Sequence, residues 1–293
     1  MTHGSTQLQS LLDRSNVHVR DPTSTVAKIN RLIDEGAGKL TVITDFDHTL
    51  TRSHDGEGGR CAVAHEVFGS KERFPEIVGK FGLLEQKYAR FEHLTEGEER
   101  IGKMEAWWRE SNEVIAEQRI SRSELSTLVK ETNIQLRDSA ADLMLSLEQK
   151  SIPTLIFSAG IGDVISLVLE QKMGRIPRNT HVISNMMEYD EQDRICGFAD
   201  PLIHCFNKSG AMVGESTPLH SLISTRPNIL LLGDALGDVR MAEGLGNEDE
   251  RVLKIGYLNK KPDLLQHFTT AYDIVIVDDQ TMEIPAELMR LIE

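Results

Sequence analysis

The segment of residues 40–50 combines a predicted strand with two acidic residues and reads Leu40-Thr-Val-Ile-Thr-Asp-Phe-Asp-His-Thr-Leu50. Residues 40–46 are mostly apolar or β-branched, which is typical of a buried strand. Two carboxylates, those of Asp45 and Asp47, stand where this strand ends. In an open parallel sheet, ligands bind at the carboxyl ends of the strands. The sequence therefore predicts a functional site at this point.

Apolar strands return after residue 150 and alternate with helical segments. This alternation favours an α/β fold in which helices cover both faces of a parallel sheet. A helix is also predicted over residues 21–36, with Thr23 or Ser24 as its N-cap and Gly36 at its end. The later strands are predicted at residues 154–157, 181–184, 228–232, 252–255 and 274–277, with helices at 162–173 and 236–243 and a hairpin at 187–198 that turns at 190–193.

The segment that follows the first strand has a different texture. Charged and apolar residues alternate at helical spacing from residue 51 to residue 150, which predicts four to six helices and no strand. A connection between a strand and a helix usually takes about 2–6 residues, so this segment is too long to be a loop. We therefore expect an α-helical domain over residues 52–150, inserted into a catalytic core formed by residues 1–51 and 151–293.

Composition limits the classes of partner. The chain has 293 residues, 40% of them hydrophobic, and a net charge of −14. The apolar content excludes a disordered chain, and the negative charge argues against binding to nucleic-acid polymers or to anionic membranes. No apolar run approaches the ~20 residues that span a bilayer, and residues 1–20 lack a signal-peptide pattern. We expect a cytoplasmic, monomeric protein.

The three cysteines, Cys61, Cys196 and Cys205, are odd in number and show no C-x-x-C spacing. This pattern predicts buried free thiols, without a disulfide framework or a zinc site. His204 stands beside Cys205, but no further spaced ligands accompany the two, so we interpret both as structural residues.

A later strand end also carries acidic residues. Asp234 and Asp238 follow the strand at residues 228–232. Together with Asp45 and Asp47, they make four carboxylates that are predicted at one edge of the sheet. The negative charges of these carboxylates would repel one another strongly in a cleft that is partly shielded from water. A hard divalent cation relieves this repulsion, and oxygen ligands select Mg²⁺. The sequence therefore predicts a magnesium site.

Two further elements indicate chemistry on a phosphate group. The small-residue turn Ser158-Ala-Gly160 precedes a helix and can present backbone N–H groups to a phosphate, and Lys208 would add a positive charge. Asp45 could then attack phosphorus as a carboxylate nucleophile. Asp47 could protonate the leaving oxygen and afterwards activate water.

These motifs also carry a family resemblance. Asp45-Phe-Asp-His-Thr-Leu50 resembles the first motif of the haloacid dehalogenase superfamily, D-x-D-x-T. Ser158, Lys208 and Gly233-Asp-Ala-Leu-Gly-Asp238 match its second, third and fourth motifs in order. The flanking sequences are similar to those of the cytosolic 5'-nucleotidase III family, which comprises pyrimidine 5'-nucleotidases and 7-methylguanosine-phosphate-specific relatives. They are Phe157-Ser-Ala-Gly-Ile-Gly-Asp-Val164, Phe206-Asn-Lys208, Leu231-Leu-Gly-Asp234 and Lys254-Ile-Gly-Tyr-Leu-Asn259.

The resemblance implies a Rossmann-like core with an inserted helical cap. It also implies Mg²⁺-dependent hydrolysis of nucleoside 5'-monophosphates through an aspartyl-phosphate, with Asp45 as the nucleophile and Asp47 as the acid and base. The expected metal ligands are Asp45, the Asp47 carbonyl and Asp234, the expected phosphate binders are Ser158, Ala159 and Lys208, and the expected supporting residues are Asp238 and Thr49.

In the inserted domain, the resemblance implies residues that bind the nucleobase. Glu92 matches the family glutamate that contacts the base, and Ser111 matches a serine of the ligand site. Trp108 stands where the family has a base-stacking aromatic residue, whereas its neighbour Trp107 is expected in the core. His65 is either a second lid residue or a structural one.

Several alternatives stay open. The same residues could transfer the phosphoryl group to a nucleoside acceptor, or could hydrolyse another small phosphomonoester. A phospho-acceptor receiver domain also clusters Asp, Ser or Thr, and Lys on a parallel sheet, but it lacks the second aspartate of D-x-D and an insert of this length. The preferred base is open between pyrimidines and 7-methylguanine, whose positive charge would suit a tryptophan platform.

Overall fold

The computed structural model describes residues 3–92, 98–214, 216–259 and 262–293, without the side chains of residues 3–5, 92 and 98. In these ranges, no helix has the length and apolar character needed to cross a membrane. The described cysteines are free thiols, of which Cys61 is buried, Cys205 is half-buried and Cys196 is exposed. The expectation that all three are buried is therefore confirmed only for Cys61.

A seven-stranded sheet forms the centre of the molecule. Its strand order is β1-β9-β8-β7-β2-β3-β4, and all neighbours are parallel except β1 and β9. The remaining two strands, β5 and β6, pair as the predicted hairpin. The strands are β1 (Val17–Val19), β2 (Leu40–Thr44), β3 (Thr154–Ile161), β4 (Thr180–Asn185), β5 (Met187–Tyr189), β6 (Ile195–Phe198), β7 (Asn228–Gly233), β8 (Val252–Leu258) and β9 (Ile274–Val277).

Apolar side chains cover both faces of the sheet. Along β2, Val42 belongs to one buried cluster and Ile43 to another, because successive side chains of a strand point to opposite faces. Helices pack over both clusters, which confirms the predicted Rossmann-like α/β fold class. The helices are α1 (His3–Leu12), α2 (Pro22–Glu35), α3 (Pro75–Glu92), α4 (Glu98–Ala116), α5 (Arg122–Glu131), α6 (Ala140–Gln149), α7 (Gly162–Met173), α8 (Pro218–Ser224), α9 (Leu265–Ala271) and α10 (Glu283–Leu291).

Between β2 and β3, the described residues form four α-helices, α3 to α6. Helices α3 and α4 pack against each other, and α5 packs against α7. Helix α6 packs against α10, which follows the last strand of the sheet. A 3-10 helix, Ala64–Phe68, precedes α3 and contacts β3. The prediction of several helices in this segment is confirmed for its described residues, but residues 51–63 and 132–139 are irregular and carry isolated β-bridges.

Two local predictions need correction. The side chain of Asp21, and not that of Thr23 or Ser24, caps α2 by accepting hydrogen bonds from the amides of those two residues. The helix predicted over residues 236–243 is a 3-10 helix, Leu236–Ala242. The Asp238 carboxylate accepts a hydrogen bond from the Ala235 amide at the start of this helix, and short 3-10 helices of this kind are frequent in connecting segments.

Candidate active site

The candidate active site lies at the carboxyl ends of three neighbouring strands in the middle of the sheet. Strands β7, β2 and β3 are adjacent and parallel. Asp45 follows β2, Asp234 follows β7, and Ser158 lies within β3. The amide of Asp45 donates a 3.0 Å hydrogen bond to the Leu232 carbonyl, which ties the end of β2 to β7. The sheet thus brings together residues that are far apart in sequence.

A buried network of charges surrounds Lys208. Its ammonium lies 2.6 Å from Oδ1 of Asp45 and 2.6 Å from Oδ1 of Asp238, and all three residues are at most 6% exposed. Burial alone favours the neutral amine, but the charges of Asp238 and Asp45 outweigh it and raise the pKa of Lys208. The other Asp238 oxygen accepts hydrogen bonds from the amides of Asp234 and Ala235, at 3.1 and 3.0 Å. Asp238 therefore orients the lysine and the loop after β7.

Asp45, Asp234 and Asp238 form a carboxylate cluster that fits a cation. One oxygen of each lies within 4.8 Å of the others. Burial raises the pKa of Asp234 well above its usual range, and the charges of Asp45 and Asp238 raise it further. Burial also raises the pKa of Asp45 to about 6, against the opposing charge of Lys208. Three carboxylates beside one ammonium leave two formal negative charges, which a divalent cation would neutralise.

The donor atoms of this cluster are not equally available to an ion. Both oxygens of Asp238 already have partners, in Lys208 and in the backbone amides after β7. Asp45 and Asp234 are the side chains better placed as ligands. Thr49, which is fully buried, donates its hydroxyl to Oδ1 of Asp234 at 3.5 Å and so supports that carboxylate from the loop after β2.

Asp47 lies beside the same turn but has different partners. Its Oδ1 accepts a 2.8 Å hydrogen bond from the amide of Ala64, in the insert. A Cβ added at Gly160 would stand 3.1 Å from its Oδ2, so glycine leaves room for the carboxylate there. Burial raises the pKa of Asp47 to about 7, and the charge of Asp45 adds to this effect, while the Ala64 amide opposes it.

Residues 158–160, predicted as a turn after a strand that ends at residue 157, lie within β3, whose register with β4 shifts between Phe157 and Ile161. This irregular segment, for which we keep the name turn, is fixed mainly through its carbonyl groups. Asn185, at the end of β4, donates to the carbonyls of Ala159 and Gly160 at 2.9 and 3.1 Å, and Ser184 donates to Gly160 at 2.9 Å. Ser158, which is buried, accepts a hydrogen bond from the Gly160 amide at 3.0 Å. These contacts set the orientation of the peptide planes in the turn.

Helix α4 of the insert reaches this turn directly. The indole N–H of Trp108 donates to the Ala159 carbonyl at 3.1 Å. Ser111 follows one turn later on α4 and is buried. Trp107 stacks instead on Tyr88 of α3, with ring centroids 6.1 Å apart, so the two adjacent tryptophans have different surroundings. Trp108 therefore lies between the insert and the residues expected to hold the phosphate.

The remaining residues predicted in the insert can be placed only in part. His65 follows Ala64, whose amide binds Asp47, and its ring lies 6.3 Å from that of Phe81 in α3. Burial lowers the pKa of His65 to about 4, so the ring is neutral near pH 7. Glu92 is the last residue of α3, and its side chain lies outside the described part of the chain.

Sequence reasoning missed two residues that contact the site. Asn185 ends β4, so a search of every strand end for polar residues would have found it. Its Oδ1 accepts the Ile203 amide at 2.8 Å, which joins the turn at Ala159 to the segment before Lys208. Arg137 lies in an irregular segment before α6 and had no sequence signal, yet it is buried beside the turn after β2.

Comparison with known proteins first defines the class. The chain aligns with a HAD-family hydrolase from Salmonella enterica serovar Typhi at a TM-score of 0.55 and 14% identity, covering 86% of this chain and 71% of that one. At this identity, the similarity shows the fold alone. The chain therefore shares its fold with that HAD-family hydrolase.

The family follows from closer relatives. The chain belongs to the pyrimidine 5'-nucleotidase (UMPH-1) family, whose sequence model matches residues 48–293. It is 40% identical over 290 residues to the Caenorhabditis elegans protein named "Putative cytosolic 5'-nucleotidase 3", covering 96% of this chain and 77% of that protein. It is 37% identical to 7-methylguanosine phosphate-specific 5'-nucleotidase A of Xenopus laevis, covering 96% and 97%. A crystal structure of cytosolic 5'-nucleotidase IIIB bound to cytidine aligns at a TM-score of 0.88 and 30% identity, covering 97% and 96%.

Proposed function

We propose that this chain is a Mg²⁺-dependent 5'-nucleotidase that hydrolyses nucleoside 5'-monophosphates to nucleoside and phosphate. One observation carries the proposal, namely the buried contact of Lys208 with Asp45 and Asp238 at 2.6 Å, in the loops that follow the adjacent strands β2 and β7. The Lys208 ammonium offers the positive charge that a phosphate group needs, and the two carboxylates fix its position. Membership of a 5'-nucleotidase family supports the same reaction.

The proposed substrates are CMP, UMP and 7-methyl-GMP. The family description names pyrimidine nucleotides, the Xenopus relative is named for 7-methylguanosine phosphate, and the similar crystal structure holds cytidine. Trp108 supports acceptance of both kinds of base, because an indole stacks on any base and also attracts a cationic ring. Glu92 and Ser111 are proposed to contact the base as well, with Glu92 offering a carboxylate to the positive 7-methylguanine.

In the proposed mechanism, a carboxylate oxygen of Asp45 attacks phosphorus while the bond from phosphorus to the 5' oxygen breaks. Asp47 donates its proton to that oxygen, so the nucleoside leaves neutral and Asp45 carries the phosphoryl group as an acyl phosphate. Asp47 then takes a proton from a water that attacks the same phosphorus. Phosphate leaves, and Asp45 returns to a free carboxylate.

The other core residues are proposed to hold the phosphate in line with Asp45. Ser158, the amide of Ala159 and the ammonium of Lys208 would contact its oxygens, and the hydrogen bonds of Asn185 keep the turn in place. Asp238 would keep Lys208 charged and oriented. Positioning of this kind can contribute several kcal/mol to lowering a barrier.

The carboxylate cluster is proposed to bind Mg²⁺ through Asp45, the Asp47 carbonyl and Asp234, with Asp238 and Thr49 in support. The hard oxygen donors and the two excess negative charges fit this ion. Bound Mg²⁺ would neutralise charge on the transferring phosphoryl group.

We propose the division into a core of residues 1–51 and 151–293 and a cap of residues 52–150. Contact of Trp108 with Ala159 supports a cap that covers the phosphate turn through α4. A cytosolic location is supported by the name of the nematode relative, and we propose a monomer.

The proposal is tested by phosphate release across a panel of nucleoside monophosphates, with and without Mg²⁺. We expect release from CMP, UMP or 7-methyl-GMP that depends on Mg²⁺, and little from purine monophosphates that lack a methylated ring. Added nucleoside separates hydrolysis from phosphotransfer, since a transferase would convert it into a new monophosphate. Turnover of simple esters but of no nucleotide in the panel would contradict the proposed specificity.

A further inference from the structure

Arg137 is among the largest fully buried side chains and lies outside every helix and strand named above. It stands in the segment between α5 and α6 and is 2% exposed. Its guanidinium donates to four oxygen atoms, none of which belongs to a carboxylate. Burying a cation costs free energy unless hydrogen bonds satisfy it. The position of Arg137 therefore indicates a specific role for its hydrogen bonds.

Two of these hydrogen bonds hold the turn that follows Asp47. Nε of Arg137 donates to the Thr49 carbonyl at 2.7 Å, and Nη2 donates to the His48 carbonyl at 2.6 Å. His48 has a left-handed backbone with φ of 61°, a conformation that costs free energy in a residue other than glycine. The arginine therefore binds two successive carbonyls in a turn whose backbone is strained.

The remaining donors connect this turn to the carboxyl-terminal part of the sheet. Nη2 donates to Oδ1 of Asn259 at 2.6 Å, and Nη1 donates to the Asp279 carbonyl. Asn259 itself donates to the His48 carbonyl at 2.9 Å. The guanidinium lies over the Tyr257 ring, 4.3 Å from its centroid. The guanidinium of Arg137 thus connects the turn after Asp47 to residues 257–279 through hydrogen bonds and the ring contact.

We propose that Arg137 is a positioning residue, which sets the direction in which the chain leaves β2 and thereby places the carboxylates of Asp45 and Asp47. The inference rests on the proposed phosphatase chemistry of these two residues. Arg137 contacts neither carboxylate in the structure and acts through the backbone of residues 48 and 49. Its removal should lower the rate of chemistry and leave substrate binding nearly unchanged.

Arg226 offers a matched control at the opposite end of β2. It donates to the carbonyls of Ala37 and Leu40 at 2.7 and 3.0 Å, and to that of Ser151 at 3.3 Å. Like Arg137, Arg226 binds three backbone carbonyls. It does so near Leu40, where β2 begins, whereas Asp45 follows the other end of β2, so Arg226 lies far from the proposed chemistry. Both Arg137→Met and Arg226→Met should lower the thermal midpoint of unfolding.

The test measures kcat and KM of Arg137→Met, Arg137→Lys and Arg226→Met with CMP and with p-nitrophenyl phosphate, normalised to folded protein. Misplacing a reacting group by about 1 Å can cost about 100-fold. We expect Arg137→Met to lower kcat by about 10- to 100-fold on both substrates with KM changed less than about threefold. Arg137→Lys should recover part of kcat, because an ammonium still reaches a carbonyl, and Arg226→Met should keep kcat within about twofold.

The inference is overturned if Arg137→Met keeps kcat within about twofold of wild type, or if Arg226→Met loses as much as Arg137→Met. Should Arg137→Met fail to fold, the comparison of Arg137→Lys with Arg226→Lys decides in the same way. Hydrolysis of p-nitrophenyl phosphate but of no nucleotide would overturn only the proposed nucleotide specificity. The rate of hydrolysis of this ester would still depend on the position of Asp45 and would still test the role of Arg137. Hydrolysis of neither by wild type would overturn both.

Discussion

Oδ1 of Asp47 accepts a 2.8 Å hydrogen bond from the amide of Ala64, so the carboxylate proposed as acid and base is held by the insert and not by the sheet alone. An asparagine could accept the same hydrogen bond through its own Oδ1 while offering no titratable proton. Asp47→Asn is therefore a substitution that keeps the local geometry and removes proton transfer.

We predict that Asp47→Asn lowers kcat on CMP by about 10²- to 10⁴-fold, the usual contribution of a general acid or base. p-Nitrophenolate is a good leaving group and needs little protonation. With p-nitrophenyl phosphate, phosphoryl transfer to Asp45 should therefore be slowed less than the later hydrolysis of the acyl phosphate. Rapid mixing should then show a burst of about one p-nitrophenolate per site before slow turnover. A loss of less than about threefold on CMP would remove Asp47 from the mechanism.

The metal prediction rests on the excess negative charge of the cluster around Asp45 and Asp234. EDTA should stop turnover and Mg²⁺ should restore it, whereas Ca²⁺ should inhibit because its larger and looser shell misplaces the reacting groups. Mg²⁺ should also raise the thermal midpoint of the wild type, by binding the folded state, and should raise that of Asp234→Asn much less. Full activity after exhaustive chelation would contradict the metal site.

The third prediction concerns Trp108 and the choice of base. Stacking of a base on an aromatic ring contributes about 1–3 kcal/mol, so Trp108→Ala should weaken nucleotide binding by about tenfold or more. The loss should be larger for 7-methyl-GMP than for UMP, because only the former adds attraction between a cation and the ring. Hydrolysis of p-nitrophenyl phosphate should change little. The measurement is kcat/KM for all three substrates.

Trp108→Phe is the matched control, since it keeps an aromatic face but loses the N–H that binds the Ala159 carbonyl. It should retain most of the binding that Trp108→Ala loses. Glu92→Gln should change the ratio of kcat/KM between bases without affecting the generic ester. If Trp108→Ala slows the generic ester as much as the nucleotides, the tryptophan has a structural role and the cap alignment is wrong.

Much of the fold could be predicted because its strands are short apolar runs. Residues 228–232 and 274–277 lack an alternation of polar and apolar residues, which predicts strands of a sheet covered on both faces. In the structure they form β7 and β9 of the central sheet. Strand β1 (Val17–Val19) was missed, because three residues pairing antiparallel at the sheet edge leave no pattern to detect. The observed N-cap of α2, Asp21, lies two residues before the predicted Thr23. Asp, Thr and Ser are all favourable N-cap residues, so the sequence alone does not distinguish between them.

The carboxylates of the site could be predicted as neighbours because parallel strands end at one edge. Asp45 and Asp234 follow adjacent strands, so their approach is a property of topology and needs no knowledge of side-chain packing. Arg137 could not be found in this way. Its partners are mostly backbone carbonyls, at residues 48, 49 and 279, and carbonyls have no signature in a sequence.

The most direct test of the proposed chemistry is the turnover of CMP by purified Asp45→Asn beside the wild type, in saturating Mg²⁺. An amide cannot attack phosphorus, so phosphate release should fall to background while circular dichroism and the cooperativity of thermal unfolding stay close to those of the wild type. Folded Asp45→Asn protein that still releases phosphate at a substantial fraction of the wild-type rate would contradict the assignment of Asp45 as the nucleophile.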